Sequence, residues 1–123
     1  MSFTLTAQQM RDCTKDVTRS LGWGFLKPGD IVMACVKCQG LGRGGKIERI
    51  HPIEIVNTEW ELLHKILYNQ CRSPSTKIET EREGFGHMTA IEFVYMFCEE
   101  MKCDPGDPVN RIEFKHRKDL INE

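Results

Sequence analysis

The sequence predicts an α+β fold: a small β-barrel of mixed, largely antiparallel strands with flanking short helices. Three observations predict it. β-branched stretches recur near residues 31–36, 46–56 and 109–116. Hydroxyl residues followed three positions later by Glu or Gln, the signature of a helix start, stand at Thr6, Thr58 and Thr89. Glycine- and proline-rich turns separate these segments, and no repeat, low-complexity run or linker divides the 123 residues, so a single domain over 1–123 is expected. A domain of this size buries about two-thirds of the surface its unfolded chain would expose, enough for one core.

In chain order, Thr6-Ala7-Gln8-Gln9 opens a brief helix running toward Cys13. Leu21 to Asp30 holds three glycines and a proline and reads as a loop closed by a Pro-Gly turn. Ile31 to Val36 is apolar and partly β-branched, which favours a buried strand. A second strand from Lys46 to Val56 lies across the Gly40–Gly45 loop, suggesting a hairpin. Thr58-Glu59-Trp60-Glu61, with Leu62, Leu63, Ile66 and Leu67 at helical spacing, predicts a short amphipathic helix. Lys77 to Gly86 is too polar to assign. Thr89-Ala90-Ile91-Glu92 opens the strongest helix, with Ile91, Val94, Tyr95, Cys98 and Met101 expected on the core face. Past a Pro-Gly turn, Val109 to His116 alternates, with Ile112 and Phe114 on one side and Arg111, Glu113 and Lys115 on the other, as a closing strand does.

Composition narrows the function classes. Hydrophobic residues at 40% and charged residues at 28% are ordinary for a globular chain. Residues 1–8 lack the basic start and apolar run of a secretory signal, and no apolar stretch nears the roughly 20 residues that span a bilayer, so a cytoplasmic protein without a membrane role is expected. In that compartment the six cysteines are expected as free thiols. Cys35 and Cys38 have zinc-like spacing but lack a matching second pair beyond Cys98 and Cys103, so no metal is expected.

A net charge of −1 argues against strong sequence-blind phosphate binding. Any nucleic-acid role must use local charge: Lys15, Arg19, Arg43, Lys46 and Arg49 make the amino-terminal half loosely basic, and residues 115–118 form a short basic tail that reads as solvated surface. Gly40-x-Gly42-x-x-Gly45 matches a dinucleotide fingerprint, and Gly40 to Lys46 matches a phosphate loop up to its lysine. Both motifs need a following helix, whereas Ile47 replaces the hydroxyl residue and Pro52 sits in a β-branched run; no cofactor is expected.

The order Lys15-x-x-Thr18-Arg19, Leu21-Gly22-Trp23, Leu26-Lys27-Pro28-Gly29-Asp30, Gln39-Gly40-Leu41, Glu83-Gly84-Phe85, Met88-Thr89 with Phe93, and Ile112-Glu113-Phe114 resembles the ASCH family, a PUA-like group, as found in small phage and prophage proteins. The resemblance runs from Phe3 to about His116. It implies a PUA-like barrel with a cleft for nucleic acid or a nucleoside. Some small bacterial ASCH proteins hydrolyse the acetyl amide of acetylated cytidine with a lysine, a threonine three residues on and a distant glutamate; the matching positions are Lys15, Thr18 and Glu83, with Glu81 a competitor for the acidic role. Two positions depart from the pattern: Cys13 stands where the family has a glycine two residues before the lysine, and Arg19 follows Thr18 directly where the enzymes place arginine one residue later.

From the residues alone, Lys15 reads as a surface lysine, Thr18 as a strand former, Glu83 as a partner of Arg82 or Lys77, and Trp23 as a cap on the core. With the resemblance, three functions compete. A monomeric binding module would capture RNA or a modified nucleobase with Lys15, Arg19, Arg43 and Lys46 on phosphate and Trp23 stacked on a base. An amidohydrolase would use Lys15 as the base that activates Thr18, with Glu83 orienting it. A phage-type module would bind a protein partner through the exposed face of the Thr89 helix.

Overall fold

The computed structural model describes residues 1–37 and 45–121. Among these residues four strands, β1 (Val17–Ser20), β2 (Ile31–Cys35), β3 (Arg49–Leu62) and β4 (Pro108–His116), form one sheet in the order β1-β4-β3-β2. All three pairings are antiparallel, and a lone parallel bridge joins Ser2 to Cys35 beside β2. Bulges at Ala34/Cys35 and Ile55/Asn57 break the register, and such insertions bend and twist a strand. The sheet therefore curls into a half-barrel. Among the described residues it does not close, because β1 and β2 remain its two edges.

The expected strand pair across the glycine loop is present as β2 and β3, with the loop residues 38–44 outside those described. Residues 45–48 lead into β3 without a helix, so the helix dipole that a phosphate loop requires is missing there. Pro52 is tolerated because the β4 ladder begins only at Ile53: beyond it the Arg117 N–H donates to the Pro52 carbonyl at 2.9 Å, and no ladder bond calls for the N–H that proline lacks.

The helix expected from Thr58 is a correction. β3 runs on to Leu62, and only Leu63–Leu67 turns, as a 3-10 helix. Residues 57–62 pair with β4 from Glu113 back to Pro108, and that long-range ladder overrides the local signal. Glu61, which would have closed the capping box, instead binds Arg19 and Arg72.

Among the described residues three α-helices accompany the sheet: α1 (Ala7–Arg11), α2 (Glu79–Arg82) and α3 (Ala90–Met101). The Thr89 capping box forms as read: the Glu92 backbone N–H donates to Thr89 Oγ1, and the Thr89 N–H donates to the Glu92 carboxylate. The core face of α3 differs from the expected one. Phe93, Val94 and Phe97 are buried, whereas Ile91 and Tyr95 are 57% and 73% exposed. The reason is that α3 packs on the 3-10 turn and Val109 through its phenylalanines, forming one apolar cluster with Leu63 and Ile66. A second cluster, on the sheet face that carries Ile112 and Phe114, gathers Phe3, Met10, Leu26, Ala34, Ile53 and Ile55. No described helix is long and apolar enough to cross a membrane.

Cys13, Cys71, Cys98 and Cys103 are free thiols. Cys35 is not: it is disulfide-bonded, which corrects the expectation of six reduced cysteines. Burial and the neighbouring Cys98 push the Cys103 thiol up to about 11, which favours its protonated form at neutral pH.

Candidate functional site

Lys15 reaches the interior because the chain reverses sharply after α1. Asp12 closes the helix and Cys13 takes a left-handed conformation (φ 64°), after which the Asp16 N–H donates to the Arg82 carbonyl at 2.9 Å. A left-handed residue with a side chain costs about 1 kcal/mol, and glycine is the usual occupant. Cys13 thus adopts the backbone that a glycine would, and the chain reverses here without one.

Lys15 is 2% exposed. Its Nζ donates to the Glu83 backbone carbonyl at 2.5 Å and to Glu83 Oε1 at 3.1 Å, leaving one position of the nitrogen open. The Phe3 and Phe85 rings lie 5.8 and 5.9 Å from it. Burial pushes the Lys15 amine below its ordinary value, Glu83 pulls it back up, and the positive charge of Arg19 adds to the lowering.

Glu83 follows α2 directly and is 3% exposed, whereas Glu81 is exposed, so Glu83 is the carboxylate beside Lys15. Its second oxygen, Oε2, accepts from Arg19 Nη1 at 2.8 Å. Arg19 in turn donates through Nη2 to Glu79 at 2.6 Å and to Glu61 at 3.3 Å. Arg111 grips Glu79 with two bonds of 2.7 and 2.9 Å, and Arg72 binds Glu61 at 2.9 Å. Although burial alone would raise it, the Glu79 carboxyl is held down at about 2 by Arg111 and Arg19. Arg82 does not pair with Glu83: it binds Asp16 and Glu113.

These groups border a cavity of about 530 Å³ lined by Lys15, Thr18, Arg19, Trp23 and Glu83, with Phe3, Phe85, Phe93 and Phe97 among its walls. Its lining takes in residues 1–6, which bridge to β2 through Ser2, residues 18–20 of β1 and one side of α3. Thr18 is half-buried on β1 opposite Ile112, and among the described residues its hydroxyl has no hydrogen-bond partner. Trp23 sits at φ 63° with its ring 5.4 Å from that of Phe25, which is 74% exposed. Asn110 Nδ2 donates to the Trp23 carbonyl at 3.2 Å and holds that loop.

Of the residues singled out in the sequence, Lys15, Thr18, Arg19, Trp23 and Glu83 meet at this cavity. Arg19 is not a free phosphate contact; its side chain is fully enclosed by three carboxylates and serves to hold Glu83. Lys46 is exposed and does not line the cavity, and Arg43 lies outside the described residues. Sequence reasoning missed Glu61, Arg72, Glu79 and Arg111. Arg111 carried a legible signal, since it occupies the polar side of an alternating strand, but alternation does not distinguish a solvated side from a buried, ion-paired one.

No family model matches the chain, and no curated protein matches it. A solved structure does: protein EF3133 from Enterococcus faecalis V583, described by the family-model DUF984, superposes with a TM-score of 0.55 at 15% identity. The match covers 91% of this chain and 69% of that one. The likeness is one of fold. It supports a small α+β half-barrel and carries no statement about substrate or partner.

Proposed function

We propose that the chain is an ASCH-type, PUA-like protein whose cavity takes a small acylated nucleoside, such as acetylated cytidine, and hydrolyses its amide. The observation that carries this reading is the buried Lys15–Glu83 pair at the wall of a cavity that Thr18 also lines. A threonine hydroxyl is a poor nucleophile until a base removes its proton, and an amine whose pKa is lowered by burial can be that base. Glu83 fixes the Lys15 nitrogen through two acceptors, and Arg19 fixes Glu83.

The balanced sequence is acyl transfer followed by hydrolysis. Thr18 Oγ1 attacks the acyl carbon while Lys15 takes its proton. The carbon–nitrogen bond then breaks, and Lys15 returns the proton to the departing exocyclic nitrogen, releasing the nucleoside. Water, deprotonated by the same amine, cleaves the threonine ester to give the free acid and restore the hydroxyl. The aromatic walls suit a flat base, and the paired charges of Lys15, Arg19 and Glu83 suit a neutral ligand better than a phosphate backbone.

A second reading, capture of RNA or a modified nucleobase without chemistry, is favoured by the Trp23–Phe25 ring pair beside the cavity, since base–aromatic stacking needs no catalyst. One experiment separates the two. Purified chain is incubated with acetylated cytidine, and release of cytidine and acetate is followed alongside calorimetric binding. Hydrolysis lost in Thr18→Val with binding retained supports the enzyme. Binding by the native chain without turnover supports the capture module. Neither turnover nor binding across a panel of acylated nucleosides and short RNAs contradicts the cavity assignment and leaves a protein-binding role through the exposed Ile91 and Tyr95 of α3 as the reading to pursue.

A further inference from the structure

Behind the Lys15 turn, on residues that the cavity does not use, a thiol and two imidazoles converge. The ligating atoms of Cys13, His51 and His116 all lie within 4.8 Å of one another. His51 Nε2 and His116 Nδ1 are 2.7 Å apart, and the other nitrogen of His116, Nε2, is 2.7 Å from the Lys15 backbone carbonyl. A carbonyl only accepts, so His116 Nε2 carries the proton and its Nδ1 lone pair faces His51 Nε2. This is the arrangement in which a metal-binding histidine is oriented by a backbone acceptor on its far side.

We propose that Cys13, His51 and His116 form a three-ligand site for a borderline-to-soft divalent transition metal, zinc in the first instance, with the fourth position open to water. Tetrahedral zinc with bonds of about 2.0–2.1 Å to nitrogen and about 2.3 Å to sulfur places its ligands about 3.3–3.6 Å apart. The nitrogen pair must open slightly, and with all three atoms already within 4.8 Å of one another the thiol closes by no more than about 1.5 Å, within the reach of side-chain rotation. The ligands come from three separated segments, the turn after α1, β3 and the end of β4, so the sheet brings them together whether or not metal is present. His51 is buried, whereas Cys13 and His116 are half-exposed and give the ion a path in from solvent. Cys13 holds a left-handed backbone that glycine would occupy more cheaply, so a thiol at this place has a reason beyond packing. The sequence expectation of no metal rested on the spacing of Cys35, Cys38, Cys98 and Cys103, and this site runs against it.

A metal here would pin the turn that carries Lys15, because Cys13 is two residues away and His116 bonds the Lys15 carbonyl. The site itself does not depend on any reaction in the cavity.

The test titrates the full chain, its Cys35 disulfide intact and Cys13 a free thiol, with cobalt and follows thiolate-to-metal charge transfer in the ultraviolet and the tetrahedral bands in the visible; zinc is then added as competitor. The expected result is one equivalent bound at micromolar affinity or better, displaced by zinc, with a rise in thermal midpoint. Cys13→Ser should remove the charge-transfer band and weaken zinc at least tenfold, and His116→Gln should weaken it similarly. Cys98→Ser and Cys103→Ser should leave both unchanged. Circular dichroism of Cys13→Ser confirms the fold. No binding by the native chain, or a charge-transfer band that survives in folded Cys13→Ser, overturns the proposal.

Discussion

The two faces of β4 hold different interiors. Ile112 and Phe114 look into an apolar cluster with Phe3, Ile53 and Ile55, while Arg111, one residue along, is equally enclosed yet surrounded by charge. On the first face, stability comes from removing carbon from water, is non-directional and tolerates repacking. On the second, Arg19, Arg72, Arg82 and Arg111 share Glu61, Glu79, Glu83 and Asp16, and every ion must keep its partner. The difference teaches how Lys15 comes to be buried. An apolar wall alone would expel a lysine, whereas a network that already enforces the position of Glu83 offers it a fixed acceptor.

The comparison breaks most readily at Glu79. Removing this carboxylate by Glu79→Ala leaves Arg19 and Arg111 short of a buried counter-charge, and the expected destabilisation is about 3–5 kcal/mol by urea unfolding. A loss under about 1 kcal/mol would mean that the arginines rearrange toward water and that the charged face is not a second core.

Acid should act on the charged face far more than on the apolar one. The Glu79 carboxyl is held at about 2 in the folded chain against an ordinary value of 4.5, so below 4.5 the unfolded chain takes up a proton that the folded chain refuses. The contribution, on the order of 3 kcal/mol, is therefore fully present above pH 4.5 and is lost as pH falls toward 2. Unfolding midpoints measured from pH 6 to pH 2.5 should fall steeply for the native chain and much less for a Glu79→Gln variant. Parallel curves would remove Glu79 as the cause.

The apolar face sharpens the contrast with a smaller and pH-independent effect. Ile112→Val deletes one buried methylene and should cost about 1 kcal/mol at every pH in that range. At the edge of both, Thr89→Ala removes the hydroxyl that caps α3 and should cost about 1 kcal/mol or less, with no change in the cavity.

How much of this was legible follows the same division. The Ile112–Phe114 alternation and the Thr89 capping box are local signals, and the structure keeps both. The Thr58 signal is just as local, and it failed because six residues of β3 gain a ladder with a strand some fifty positions away. Lys15, Thr18 and Glu83, which line one cavity, are singled out in the sequence only through resemblance; their own chemistry points to the surface. The network that fixes them was invisible, since a charged residue on an alternating strand looks the same whether water or a glutamate faces it. The orientation of α3 was misread for a related reason: Phe93 and Phe97 against Ile91 and Tyr95 is a choice between two apolar stripes, made by Val109 and the 3-10 turn.

The central claim is that burial against a fixed carboxylate prepares Lys15 as a base, and the titration of its own amine tests that most directly. Carbon-13 labelling of the lysines, with Lys15→Arg used to assign the resonance, gives the pKa of that amine by NMR. The account predicts a value below that of an exposed lysine, which titrates at about 10.4, and a further change when Arg19, the anchor of Glu83, is replaced by lysine. A Lys15 amine that titrates with the surface lysines, or above them, would contradict it.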